Sequence, residues 1–221
     1  MKWLRKQGQS RIVRIILILV ALVSALSTHA LAQSPGLHFI SVAWIPPEKQ
    51  AQYDAFSAEV TSIWKRHGMK ALLRAKVVGA LAGEDVAELP TEIAVLSVAS
   101  RADFENYIAD PDYRAIRPQR MDAVSQMIVL EGTPLEPAPL FQTAPQFAMT
   151  FSAGEWETIE TKPAFQMQVA LAGSIKGNVP QPYAAKPNIG LFALSYDDNP
   201  MSFVADASSR FPVLILQRVA D

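Results

Sequence analysis

Cysteine is absent from the 221 residues, so no disulfide braces this fold, no thiolate serves as a nucleophile, and no lipid is attached through a thiol. Histidine is nearly absent too. Only His38 and His67 lie beyond residue 32, and neither stands in a His-x-x-x-His or His-x-Glu spacing, which argues against a dedicated zinc site. The ten glycines are scattered, so there is no phosphate-cradling loop of the P-loop or dinucleotide type. No Gly-x-Ser-x-Gly elbow occurs. The paired acids Glu84 and Asp85 fall in a loop, where they give a glycosidase reading no support. Lys and Arg form no cluster of the kind that neutralises nucleic-acid phosphates, so a nucleic-acid partner is not expected.

The first 14 residues carry five bases (Lys2, Arg5, Lys6, Arg11, Arg14) and no acid, and they run into IILILVALVSAL, then a small-x-small site at Ala30-Leu31-Ala32. Those three parts make a secretory signal over residues 1–32, cleaved before Gln33. An apolar core of about 12 residues falls short of the ~20 that a membrane-crossing helix needs. No adjacent arginine pair points to the twin-arginine route. The protein is therefore expected to be exported, periplasmic or secreted, with no membrane association after cleavage. Loss of the signal leaves 189 residues with 15 basic and 21 acidic side chains, a net charge of −6. Half the composition is apolar, enough to build a core for one large or two small domains.

From His38 to Gly132 the apolar rhythm reads strand, helix, strand, strand, helix, strand. HFISVAWI (38–45) is apolar on both faces, as a strand buried on both sides must be. Pro46-Pro47-Glu48 opens a helix, Tyr53, Phe56, Val60, Ile63 and Trp64 form its apolar stripe, and Gly68 ends it in a left-handed cap. KALLRAKVVGAL (70–81) and EIAVLSVAS (92–100) are the next strands. Residues 101–127 read as a second helix interrupted at Asp110-Pro111, and IVLEG (128–132) closes the unit. This order is the split βαβ, or ferredoxin-like, arrangement of an α+β protein. Helices cover one face of such a sheet, so the second apolar face needs another sheet or a ligand cavity against it.

The runs KRHGMKALLRAKVVGALAGE, YIADPDYRAIRPQR and VLEG resemble the domain-of-unknown-function family 1330, within the dimeric α+β barrel superfamily. Asp110-Pro111-Asp112-Tyr113 followed by Arg117 and Arg120 is the most specific part of that resemblance, which covers about half of the mature chain. It implies ferredoxin-like units paired sheet to sheet around a central cavity. The superfamily holds cofactor-free monooxygenases, haem-binding enzymes and muconolactone-isomerase-like proteins, so many chemistries are compatible with it.

The domain boundaries expected are 37–133 for this module, 134–145 for a proline-rich linker and 146–221 for a second half. In the second half, QFAMTFS (146–152), NIGLFALSYD (188–197) and VLILQRV (213–219) read as strands. GEWETIETKPAFQMQVALAGS (154–174) reads as helix, a weak strand is sought within IKGNVPQPYAA, and Asn199-Pro200 opens a short helix. The element order matches a degenerate second ferredoxin-like unit. A monomer with an internal pseudo-dimer is then expected; the alternative is an irregular extension on a module that forms homodimers.

Asp110 and His67 are the candidate catalytic residues, a carboxylate base for a carbon acid or phenol and an imidazole active near neutral pH. Each has a plainer reading, Asp110 or Asp112 as a helix cap over a packed Tyr113 and His67 as a cation at a helix C-terminus. His38 reads as a solvent-facing edge residue. Arg117 and Arg120 share a helical face and can clamp an anion, or pair with Asp112 or Asp122 in solvent. Arg74 and Lys76 point one way from their strand; they are buried cations in need of an anionic ligand, or charges that discourage pairing at a sheet edge. Trp44 and Tyr113 complete the candidate ligand-binding set, although Trp44 also suits a core. No cofactor and no metal are expected; haem would require His67 to face the cavity. The function expected is binding of a small hydrophobic or aromatic ligand, neutral or anionic, in a barrel cavity. The alternatives are a cofactor-independent monooxygenase or isomerase, and a structural or assembly protein with a filled core.

Overall fold

The computed structural model describes residues 36–81, 88–134, 144–152, 164–184, 188–194 and 213–219. Pro35–Asp221 form one compact unit. The segment expected to be a signal, the expected linker residues 135–143, the loop holding Glu84 and Asp85 and the expected helix at Asn199-Pro200 lie outside the described residues.

The first half runs β1 (Leu37–Trp44), a 3-10 turn (Pro47–Lys49), α1 (Gln50–Arg66), β2 (Lys70–Leu81), β3 (Glu92–Val98), α2 (Arg101–Ala109), α3 (Pro111–Ala123) and β4 (Gln126–Pro134). The second half contributes β5 (Gln146–Ser152), β6 (Phe165–Lys176), the single turn α4 (Gln181–Ala184), β7 (Asn188–Leu194) and β8 (Val213–Arg218). All eight strands pair antiparallel and close into one barrel in the order β1-β3-β2-β8-β5-β7-β6-β4. Read along the ring, the first half is ordered 4-1-3-2, the ferredoxin-like order, and the second half is ordered 8-5-7-6. Two seams, β2 to β8 and β4 to β6, join the halves.

Local chemistry accounts for the joints. The diproline starts the chain into a 3-10 turn before α1, because proline fixes φ and has no N–H to bond within the first turn. Gly68, at φ 65°, takes the left-handed conformation that ends α1, and the Met69 N–H reaches the Trp64 carbonyl at 2.9 Å. Ser100 caps α2 by accepting from the Asp103 N–H. The residue before Pro111 cannot be helical, so Asp110 leaves the helix (ψ 127°) and caps α3 with its own side chain. That break matches the sequence. The end does not: α3 stops at Ala123 and β4 begins at Gln126, because Val124 turns extended.

Corrections are larger in the second half. The stretch read as helix contains β6, where Phe165, Met167 and Val169 are buried and alternate with Gln166, Gln168 and Ala170. A period of two defines a strand. The weak strand sought in 175–185 is instead the end of β6, a turn at Gly177 (φ 79°) and α4 between prolines.

The two faces of the first sheet meet different partners. Ile40, Val42, Trp44, Leu73, Ile93, Ile128 and Leu130 point inward and pack with Phe147, Met149, Met167, Leu191 and Leu214 into one buried apolar cluster. The second apolar face is therefore covered from within the chain. Phe39, Val98, Phe56, Val60, Ile63, Tyr107 and Tyr113 form a separate core between the outer face and the helices. His38 is not at an edge. β1 lies between β3 and β4, and His38 is 9% exposed, its ring 5.9 Å from Phe165.

A cavity between helices and sheet

On the helix side of the first sheet a cavity of about 370 Å³ opens among apolar and charged groups. It stands at the small end of ordinary ligand pockets, roughly 300–1,000 Å³. Its floor follows from the register. Arg74, Ala94, Ser41 and Val129 sit opposite one another across β2, β3, β1 and β4, and Glu92, Ala43 and Met127 make the adjacent row. Beyond Val129, β6 adds Ile175, the extra residue of a bulge against β4. Five strands at ~4.8 Å make the floor roughly 19 Å wide. Phe56, Ser57, Trp64, Phe104, Tyr107 and Tyr113 form the roof.

The floor carries charge at its β2 and β3 side. Arg74 Nη2 donates to Glu92 Oε1 at 3.0 Å, while Oε2 of this 2% exposed carboxylate is buried without a partner among the described residues. Burial pushes the Glu92 carboxyl up from its ordinary value, and Arg74 pulls the other way. Tyr53 stands beside this pair; burial, then Glu92, raises its hydroxyl, while Arg120 and Arg74 oppose that shift. Tyr107 is likewise raised by burial and by Tyr113, whose ring lies 4.2 Å away.

Arg120 is the most telling cation. Its guanidinium carbon sits 5.6 Å from the centre of the Phe56 ring and 5.7 Å from that of Tyr113, a cation–π arrangement that holds the group flat. Its Nε is buried without a partner, and the guanidinium pairs with no carboxylate among the described residues. Arg117, one turn earlier, also lines the cavity and is exposed, with no ion pair among the described residues. Neither Asp112 nor Asp122 neutralises them.

The remaining expected site residues fall in other places. His67 donates from Nε2 to Asp110 Oδ2 at 2.7 Å, and Arg66 bridges Asp110 and Asp112 at 2.9 and 2.8 Å. Asp110 also accepts from the Asp112 and Tyr113 N–H groups. These bonds, the one from His67 foremost, hold the Asp110 carboxyl down at about 2. Neither His67 nor Asp110 is among the residues that line the cavity. A haem ligand needs the ring nitrogen that Asp110 occupies, so these residues do not fit that group. Trp44 belongs to the barrel interior, with Nε1 donating to the Glu88 carbonyl at 3.1 Å. Lys76 is exposed on β2 beside Glu92 and outside the cavity. Arg74 faces the cavity, not the barrel axis.

The sequence reading missed Glu92. Its signal was an acid at the head of EIAVLSV, a strand otherwise apolar on both faces. Among the described residues no three His, Asp or Glu side chains are placed to hold a metal ion, and no helix is long and apolar enough to cross a membrane.

Residues 41–133 match DUF1330, a domain of unknown function. That span runs from within β1 to within β4 and includes every helix residue that roofs the cavity. No curated protein matches the chain. Among solved structures, the RPA0582 protein of unknown function from Rhodopseudomonas palustris is similar at 20% identity, over 52% of this chain and 94% of that one, with a TM-score of 0.42. A protein from Bacteroides thetaiotaomicron named "putative antibiotic biosynthesis monooxygenase" is 22% identical over 48% and 95%, with a TM-score of 0.36. A dimeric ferredoxin-like protein of unknown function from Thermobifida fusca is 12% identical over 44% and 90%, at 0.31. The matched segment, with its sheet ordered 4-1-3-2 and its helices between the strands, is an α+β unit.

Proposed function

We propose that the protein binds a small hydrophobic or aromatic anion in the cavity between α1, α2, α3 and the first four strands. Arg120 carries this reading: a guanidinium held between two aromatic rings at a cavity wall, with no carboxylate partner among the described residues, is prepared for an anion from outside. Arg117 adds a second positive charge on the same helix face. Titration calorimetry with a panel of aryl carboxylates tests the proposal. Saturable binding is expected, weakened about tenfold or more by Arg120→Gln; no binding by any member would overturn it.

Cofactor-independent oxygenase or isomerase chemistry on such a ligand is the second reading, and Glu92 favours it. A buried carboxylate whose ionised form is disfavoured is a better proton acceptor than Asp110, which is held far below neutrality by its bonds. An assembly role finds support in the packed barrel interior alone. The repeated strand order, 4-1-3-2 and 8-5-7-6, supports an internal pseudo-dimer of two tandem units, hence a monomer. Native mass spectrometry separates this from a homodimer. Export of a chain cleaved before Gln33 is part of the same proposal, and N-terminal sequencing of the secreted product tests it.

A further inference from the structure

The cavity holds a second unmet polar group besides Arg120. Glu92 is almost wholly buried, lines the cavity, and spends one oxygen on Arg74 while the other has no partner among the described residues. Unpaired buried oxygens are rare, and each one needs an explanation. The terminal torsion of a glutamate is broad and roughly two-fold, so either oxygen can turn toward the cavity. A donor on the ligand would complete the pair.

Charge selects the kind of donor. Among the described lining residues, Arg74, Arg117 and Arg120 face this space against the single acid Glu92, so an ammonium ligand would meet a net positive wall. A neutral hydroxyl escapes that repulsion. Ser41 and Ser57, both buried and lining the cavity, add hydroxyls that can donate or accept. The walls are flat rings, with Phe39 and Phe104 stacked at 4.4 Å.

Resting on the anion-binding reading above, we infer that the ligand is a hydroxylated aryl carboxylate, whose carboxylate lies on Arg120 and whose hydroxyl donates to Glu92. A site built to accept a hydrogen bond from the ligand discriminates against analogues that lack the donor, because the buried acceptor is then left unpaired.

The test is calorimetry on the purified full chain with benzoate, its three hydroxybenzoate isomers and their methyl ethers. At least one hydroxybenzoate should bind about tenfold or more tighter than benzoate and than its own methyl ether, which keeps the oxygen but not the proton. Glu92→Gln, which replaces the carboxylate acceptor by a weaker amide one, should bring the ratio of hydroxybenzoate to methyl-ether affinity toward one. Equal binding of hydroxyl, ether and parent compound overturns the hydroxyl assignment while the anion site stands. Binding of none overturns the anion site itself. Should Glu92→Gln fail to fold, the comparison of hydroxyl with ether on the native protein still decides.

Discussion

The Lys176 ammonium lies 2.5 Å from the carbonyl of Val124 and donates to Met121 as well, at 2.7 Å. A side chain from the last residue of β6 thereby satisfies the C-terminal carbonyls of α3, the helix that carries Arg117 and Arg120. Cations are favoured at such an end, where carbonyls lack intrahelical partners. Lys176→Met should lower stability by about 1 kcal/mol. It should also speed amide exchange in the last turn of α3 and weaken aryl carboxylate binding through Arg120. Hydrogen exchange by mass spectrometry reads the first effect on the helix directly. Unchanged exchange in that turn would reject the link.

The seam between β4 and β6 predicts a contrast between two glycines. A Cβ on Gly132 would run into the Gln168 carbonyl and lie 2.7 Å from Met167 Cγ, whereas one on Gly173 meets nothing nearer than the Val129 carbonyl at 3.9 Å. Gly132→Ala is expected to cost about 1–3 kcal/mol, the usual penalty of overpacking. Gly173→Ala should be close to neutral. Denaturant midpoints of the two variants check this.

Asp110 gives a pH dependence of known sign. Its carboxyl titrates at about 2 in the folded chain against 3.8 as its ordinary value, so the unfolded state binds the proton more readily as pH falls. The stabilisation is present above about pH 4 and is lost toward pH 2. Asp110→Asn should abolish this part of the acid sensitivity, along with the tie from His67. Urea midpoints measured between pH 2 and 5 compare the two proteins.

His38 acts in a different window. Burial lowers its basicity below the ordinary 6.5, and the bond from Nδ1–H to the Gly36 carbonyl offsets only part of that. The folded state binds the proton less readily than the unfolded one, so stability present above pH 6.5 declines as pH drops below it. His38→Gln should flatten the slope there and leave the Asp110 window untouched. A slope unaltered between pH 5 and 7 would mean that another group sets it.

The first half was legible because each joint carries its own chemistry. Gly68, the diproline and Asp110-Pro111 mark ends that tertiary contacts do not override, and Lys70–Leu81 and Gln146–Ser152 have the bounds read from their alternation. β6 was misread because Ala170, Leu171 and Ala172 blur the period of two after Val169, and alanine and leucine suit a helix as well. The position of the cavity was not readable. β1 and β3 are apolar on both faces, and nothing in either strand says which face meets helices and which meets the second half. Only the pairing of Arg74 with Glu92 separates them, and that pairing depends on register between strands.

The β2 to β8 seam joins Ala75 to Arg218, and Val219 donates to the Arg74 carbonyl at 2.9 Å. The strand that carries Arg74 therefore waits for residues far along the sequence, in β8, before its ladder is complete. Pairings so distant in sequence form slowly, since loop-closure entropy precedes their reward. A chain still lacking β8 presents β2 as a bare template for other molecules. Loss of β8 would thus be felt first as aggregation and only then as a change in the cavity, although no described residue beyond Ile175 lines it.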